Sequence, residues 1–278
     1  PKRDAPQVLG RMVAVGSGAS LAAYAAIVVT WQAFDLSYDF VYLASGGITA
    51  AIALFAWLAY PQFAAPHPQR RTMVLRRRYW LYYALQFMAG ARRQIFVVFA
   101  AFMMVERFGF TVPQVTALFM INFLVNMLVA PYLGRYVARF GEQNAMLLEN
   151  GGLFLLFLGY GGLYWYDWSV WTGAALYVVD HLFFALSITL KTYFQKIADP
   201  ADIAPTAAVS FTINHIAAVF LPAALGYLWV TSPGSVFGFA AAMAAISFLL
   251  ALLVPRDPDA GNETRLSGGR RWAGVPAE

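Results

Sequence analysis

The chain has no cysteine among its 278 residues. That excludes a disulfide framework, a thiolate metal site and a cysteine nucleophile. Charge is scarce as well. Asp, Glu, Lys and Arg make up 12% of the residues, whereas soluble domains carry about 25%. With 60% hydrophobic residues, too few polar side chains remain to cover a water-facing globule. Histidine is limited to His67, His181 and His215, which are too scattered to suggest a metal or haem site. The usual enzyme motifs are missing: there is no H-E-x-x-H, no P-loop and no G-x-S-x-G. No cofactor and no enzymatic activity are therefore expected.

Long apolar runs are plentiful. Eight stretches, roughly 14–33, 39–60, 80–105, 112–133, 145–166, 169–190, 206–230 and 235–254, can each span hydrocarbon as a helix. They are continuously apolar, unlike the short alternating strands of a membrane barrel. The expected fold is an all-α polytopic membrane protein with eight transmembrane helices. The connections test this reading through the bias of Lys and Arg toward the cytoplasmic side. With the N-terminus inside, every basic residue lies inside except Arg107, with Arg92 and Arg93 in the middle of a span. The net charge of +5 is thus a topology signal, and nucleic acid is not an expected partner. Trp165, Tyr166, Trp168 and Trp171 cluster around Asp167 as an interfacial belt.

Two polar segments divide the chain. Residues 61–79, rich in Pro and Arg, form a basic cytoplasmic connector. It separates residues 1–60, with two helices, from residues 80–254, with six. Residues 255–278 read as a disordered cytoplasmic tail. The first residue is Pro, which suggests a fragment or a processed end.

The loop between the fourth and fifth runs reads G-R-Y-V-A-R-F-G-E-Q from Gly134 to Gln143. It resembles the loop signature of the major facilitator superfamily, G-x-x-x-D-R-x-G-R-R. Gly134, Arg139 and Gly141 match. Ala138 stands at the aspartate position, and Glu142 and Gln143 replace the two final basic residues. Counting from the basic connector, the motif follows the second of six helices, as it does in each half of that family. The resemblance implies that residues 80–254 are the C-terminal six-helix bundle of a twelve-helix transporter. Residues 1–60 would then be the last two helices of the N-terminal bundle, with four further helices upstream. The implied setting is a bacterial inner membrane with both termini cytoplasmic. The implied activity is secondary transport of a small solute by alternating access, with a gate at the loop. Independently of any family, Gly134 allows close approach of helices, Arg139 complements a helix C-terminus and Glu142 a helix N-terminus.

The pair Arg92–Arg93 is the most informative feature. Twelve residues separate Trp80 from Arg92, or about 18 Å along a helix. Neither arginine reaches an interface by snorkelling. Arg93 shares its stripe with Gln86, Ala89, Gly90 and Val97, and Arg92 with Leu85, Met88, Ile95 and Phe96. Arg93 is therefore expected to face a watery cavity that binds an anionic solute, and Arg92 to reach a partner. Asp180, at the same depth beside His181, and Glu149, nearer the cytoplasm, are the candidate partners. They form either a fixed ion pair or a proton-coupled one. Asn122 and Asn126 share a helix face, and Asn214 and His215 lie within the seventh run. With Gln86 and Arg93, the three asparagines are candidate solute contacts. His215 joins His181 as a candidate coupling residue. Two other readings remain open: a non-transporting receptor or assembly subunit, and a membrane-embedded enzyme.

Overall fold

The computed structural model describes residues 4–34, 37–61, 73 and 75–267. In hydrocarbon, a backbone N–H or C=O must be satisfied within its own segment. The apolar runs accordingly form helices, and the described residues contain no strand beyond one isolated bridge between Asp259 and Asn262. The elements are α1 (Ala5–Phe34), α2 (Tyr38–Ala59), α3 (Trp80–Gln94), α4 (Ala101–Glu106), α5 (Val112–Trp165), α6 (Val170–Phe184), α7 (Ile188–Ile197), α8 (Ile203–Thr231) and α9 (Pro233–Leu252). A π-helical segment, Ile95–Ala100, joins α3 to α4, and a 3-10 turn, Ala185–Ser187, joins α6 to α7.

Seven helical units among the described residues are long and apolar enough to cross a membrane. One of them, α5, has 54 residues, which would be about 81 Å if straight, far beyond bilayer thickness. It is folded at Gly141, where φ is 83° and ψ is 165°, a backbone conformation that favours glycine. Asn144 donates from its amide to the Phe140 carbonyl and satisfies the last turn of the first arm. The two arms, 112–140 and 142–165, both run beside α6. Phe119 of the first arm meets the Tyr177 ring at 6.2 Å, and Leu176 lies over Gly159 of the second. The hairpin makes eight passes of the seven units, in agreement with the eight apolar runs.

Packing follows small residues. The glycines of the second arm each receive a side chain: Phe248 at Gly151, Phe183 at Gly152 and Trp168 at Gly162. That arm is closely packed. A buried cluster joins it to α9 and α4 through Leu153, Phe157, Tyr160, Phe237, Ala240, Ala244 and Met103. Helix α1 lies antiparallel along the first arm of α5. Gly10 meets Gly134, Gly18 meets Met127, and Tyr24 meets Phe123 with ring centroids 5.5 Å apart. By contrast, α2 buries no residue.

One expectation needs correcting. Residues 255–267 are not a disordered tail but fold back against the bundle. The Arg265 amide donates to the Leu253 carbonyl at 2.8 Å, and the Tyr193 hydroxyl donates to the Glu263 carbonyl at 2.5 Å. Glu263 and Thr264 are buried. Low hydrophobicity suggested disorder, but the exposed backbone at the end of α9 and a buried tyrosine hydroxyl offer partners that composition does not reveal. Residues 268–278 and nearly all of the connector, 62–72 and 74, lie outside the described residues.

Candidate functional site: a polar seam inside the membrane-spanning bundle

Arg92 and Arg93 lie in the last turn of α3, just before the π-helical segment. A π-turn shifts the register of the side chains that follow it, and such turns recur at functional positions. Here it places Phe96 among Tyr177, His181 and Phe184, with ring centroids 4.8, 6.1 and 5.3 Å away. Across from it, α6 gives way to the 3-10 turn at Ala185, soon after Asp180 and His181. Both helices that carry mid-span charge are therefore irregular next to it.

Arg92 is buried and turns inward. Its Nη2 lies 3.8 Å from Glu149 Oε1, and its Nε donates to the Met88 carbonyl at 3.3 Å. Its Nη1 has no hydrogen-bond partner. A cavity of about 20 Å³ opens beside this pair, lined among others by Arg92, Glu149, Asn150 and Ser187. That is room for about one water. Asn150 donates to the Met146 carbonyl at 2.7 Å and leaves its own side-chain oxygen unpaired.

Among the described residues, Asp180 makes no ion pair. It is fully buried, and neither carboxylate oxygen accepts a hydrogen bond. The Tyr160 hydroxyl lies next to this carboxylate, and Tyr177 is close enough to interact electrostatically. Arg92 is within electrostatic reach of Asp180 as well as Glu149. Of the two candidate partners for Arg92, the structure pairs it with Glu149.

Arg93 is exposed and points the other way. Its charge reaches His181, whose Nε2 lies 3.4 Å from Asn126 Nδ2. Three helices thus bring Arg93, Asn126 and His181 onto one side. Asn122, a turn before Asn126, is 1% exposed, and neither end of its amide is hydrogen-bonded. Gln86 is half-buried on α3. Two other candidates lie on α8. Asn214 packs against the backbone of Gly90, where even a Cβ would collide with its side chain. His215 is exposed, stacks on Phe211 with centroids 3.9 Å apart and turns Nδ1 to the Phe211 carbonyl at 2.8 Å.

Reading by sequence missed Tyr160 and Tyr177. The signals were present, since Tyr177 stands three residues before Asp180 and Tyr160 eleven after Glu149, both near-integral numbers of helical turns. The π-segment carries no comparable signal.

The loop motif is geometric. A Cβ on Gly134 would lie 2.6 Å from the Pro6 carbonyl oxygen, and one on Gly10 would lie 2.7 Å from that of Ala130. Gly141 makes the turn. Glu142, buried, binds Lys196 at 2.7 Å. Arg139 is exposed, with its guanidinium carbon 5.4 Å from the Phe140 ring centroid.

Helices of membrane-crossing length, closely packed around charged and amide side chains at mid-span, define a polytopic membrane protein with a polar interior. The family model described as Major Facilitator Superfamily matches residues 1–222, and the chain belongs to that family of membrane transporters. No curated protein matches the sequence.

Proposed function

We propose that the protein is a secondary transporter that carries a small anionic solute by alternating access, coupled to protons. The observation that carries this reading is the division of the polar seam. Arg93, Asn126 and His181 present a cation and hydrogen-bonding groups on one side, while Arg92, Glu149 and Asp180 form a buried charged cluster behind them. Intramembrane ionisable groups are costly and mark transport pathways. In this reading Arg93 attracts the anion, and Asn126, Asn122 and Gln86 orient it. Asp180 and Glu149 compete for Arg92, and a proton arriving at one carboxylate frees the arginine to favour the other.

The end rich in Lys and Arg would be cytoplasmic, and the membrane a bacterial inner membrane. The crossing of α1 and α5 at Gly10 and Gly134 would then close the cytoplasmic end, and its parting would open it. Helices α1 and α2 would belong to an N-terminal bundle completed by four upstream helices, which the absence of any buried residue in α2 supports. That bare helix also suits the alternative, a receptor or assembly subunit held by a partner.

The test is uptake by proteoliposomes under an imposed pH gradient, using a panel of labelled small carboxylates and phosphates. Gradient-driven uptake of at least one anion, lost in Arg93→Ala, is the expected result. Undiminished uptake by that variant would remove the solute role of Arg93.

A further inference from the structure

The basic end of the bundle holds two kinds of cation. One kind is bound by the protein itself. Arg76 Nε meets Asp202 at 2.9 Å, Arg78 reaches the same carboxylate at 3.4 Å, Lys196 binds Glu142 at 2.7 Å, and Arg265 donates to Gln143 at 2.9 Å. Among the described residues, the other kind meets only aromatic rings. The Arg135 guanidinium carbon lies 4.4 Å from the Tyr132 ring centroid, and that of Arg139 lies 5.4 Å from Phe140. Tyr136 and Phe140 meet with centroids 4.7 Å apart and their planes tilted by 39°. Tyr132 is 63% and Phe140 49% exposed, and both arginines are exposed.

Depth gives this ladder its meaning. Helix α5 begins at Val112 with Thr111 and Gln114 forming a capping box. About 30 Å of hydrocarbon corresponds to some 20 helical residues, which ends the core near Tyr132. The first arm nevertheless continues to Gly141. Arg135 and Arg139 therefore stand about 5 and 10 Å beyond the hydrocarbon, at the level of lipid headgroups. The aromatic rings at and below them suit the interfacial zone. A guanidinium offers paired donors matched to phosphate oxygens, and cations at this level attract anionic lipid.

We propose that the exposed face of α5 from Tyr132 to Phe140 is a binding site for the headgroup of an anionic phospholipid. Arg135 and Arg139 grip the phosphate, and Tyr132, Tyr136 and Phe140 lie against the glycerol and upper acyl chains. The rings hold both guanidinium groups in position without neutralising them, so the charge remains available to a lipid. Arg135 directly follows Gly134, where α5 touches α1. A lipid seated there borders the helix crossing assigned above as the gate, although the binding site itself does not depend on the transport reading.

The test is lipid retention in native mass spectrometry of the detergent-purified protein, after exchange into equimolar phosphatidylglycerol and phosphatidylcholine. The wild type is expected to retain phosphatidylglycerol at least fivefold over phosphatidylcholine, and Arg135→Gln/Arg139→Gln to lose most of that preference. Lys191→Gln, an exposed basic residue on α7, serves as control and keeps it. Addition of glycerol phosphate distinguishes a site for free phosphate, which it would empty, from one that needs the acyl chains. Equal retention of the two lipids by the wild type overturns the proposal without any variant. So does a double variant that keeps the preference, or displacement by glycerol phosphate alone. If the double variant does not fold, Arg139→Gln by itself is expected to reduce the preference about twofold, and an unchanged ratio overturns the proposal.

Discussion

Arg92 and Arg93 are neighbours in the chain and lie in opposite surroundings. Arg92 faces the packed interior, beside Glu149, an unpaired Asp180 and a cavity of one-water size. Arg93 faces the open side, with Asn126 and His181 from two other helices. About 100° of helical rotation separates them. The same side chain at nearly the same depth is therefore buried beside a carboxylate in one case and exposed in the other. What differs is whether a neighbouring helix supplies a carboxylate, since a buried charge without one is strongly destabilising.

The largest effect should come from breaking the packed side. Glu149→Leu leaves Arg92 buried without its counter-charge and is expected to cost about 3–5 kcal/mol. Thermal unfolding in detergent measures this. Combining it with Arg92→Met should recover most of the loss, because an apolar pair of similar volume carries no desolvation cost. A double variant as unstable as the single one would mean that Arg92 is held by something other than Glu149.

Next in size is the glycine crossing of α1 and α5. Gly134→Val places atoms where Pro6 and Gly10 now lie and should cost about 1–3 kcal/mol. Cysteine accessibility at introduced sites near Gly10 should rise as α1 and α5 part, and unchanged accessibility would count against a tight crossing. A smaller loss, about 1–2 kcal/mol, is expected for Lys196→Met, which leaves the buried Glu142 without its cation. The same melting measurement reads it.

The smallest change in stability belongs to the open side. Arg93→Ala should shift stability by no more than about 0.5 kcal/mol while abolishing anion uptake. That split between folding and transport is the sharpest form of the comparison. A large loss of stability in Arg93→Ala would make the two arginines alike.

Much of this organisation was legible in residue pattern. Eight apolar runs correspond to eight passes, and the close approach expected at Gly134 occurs between backbones. The stripes through Arg92 and Arg93 separate an apolar face from a polar one by residue pattern alone. The choice of Glu149 over Asp180 was not legible, because depth along the bilayer admits both and only the rotation of α5 against α3 decides. Asn214 and His215 looked equivalent to the other mid-span polar residues. Their different surroundings follow from how α8 meets Gly90, on the Arg93 stripe, and from where its exposed face points.

By itself, the sequence determined that the chain crosses a membrane as helices, where each crossing lies and which residues bring charge into its middle. These properties follow from hydrocarbon length and from the cost of unpaired backbone and charge, which any arrangement of the helices would share. Only the tertiary structure decided which charge meets which, that Tyr160 and Tyr177 lie beside Asp180, and that residues 255–267 fold back on the bundle. Those outcomes depend on helix rotation, on a π-helical register shift and on side chains far apart in the chain, and local pattern carries no record of them.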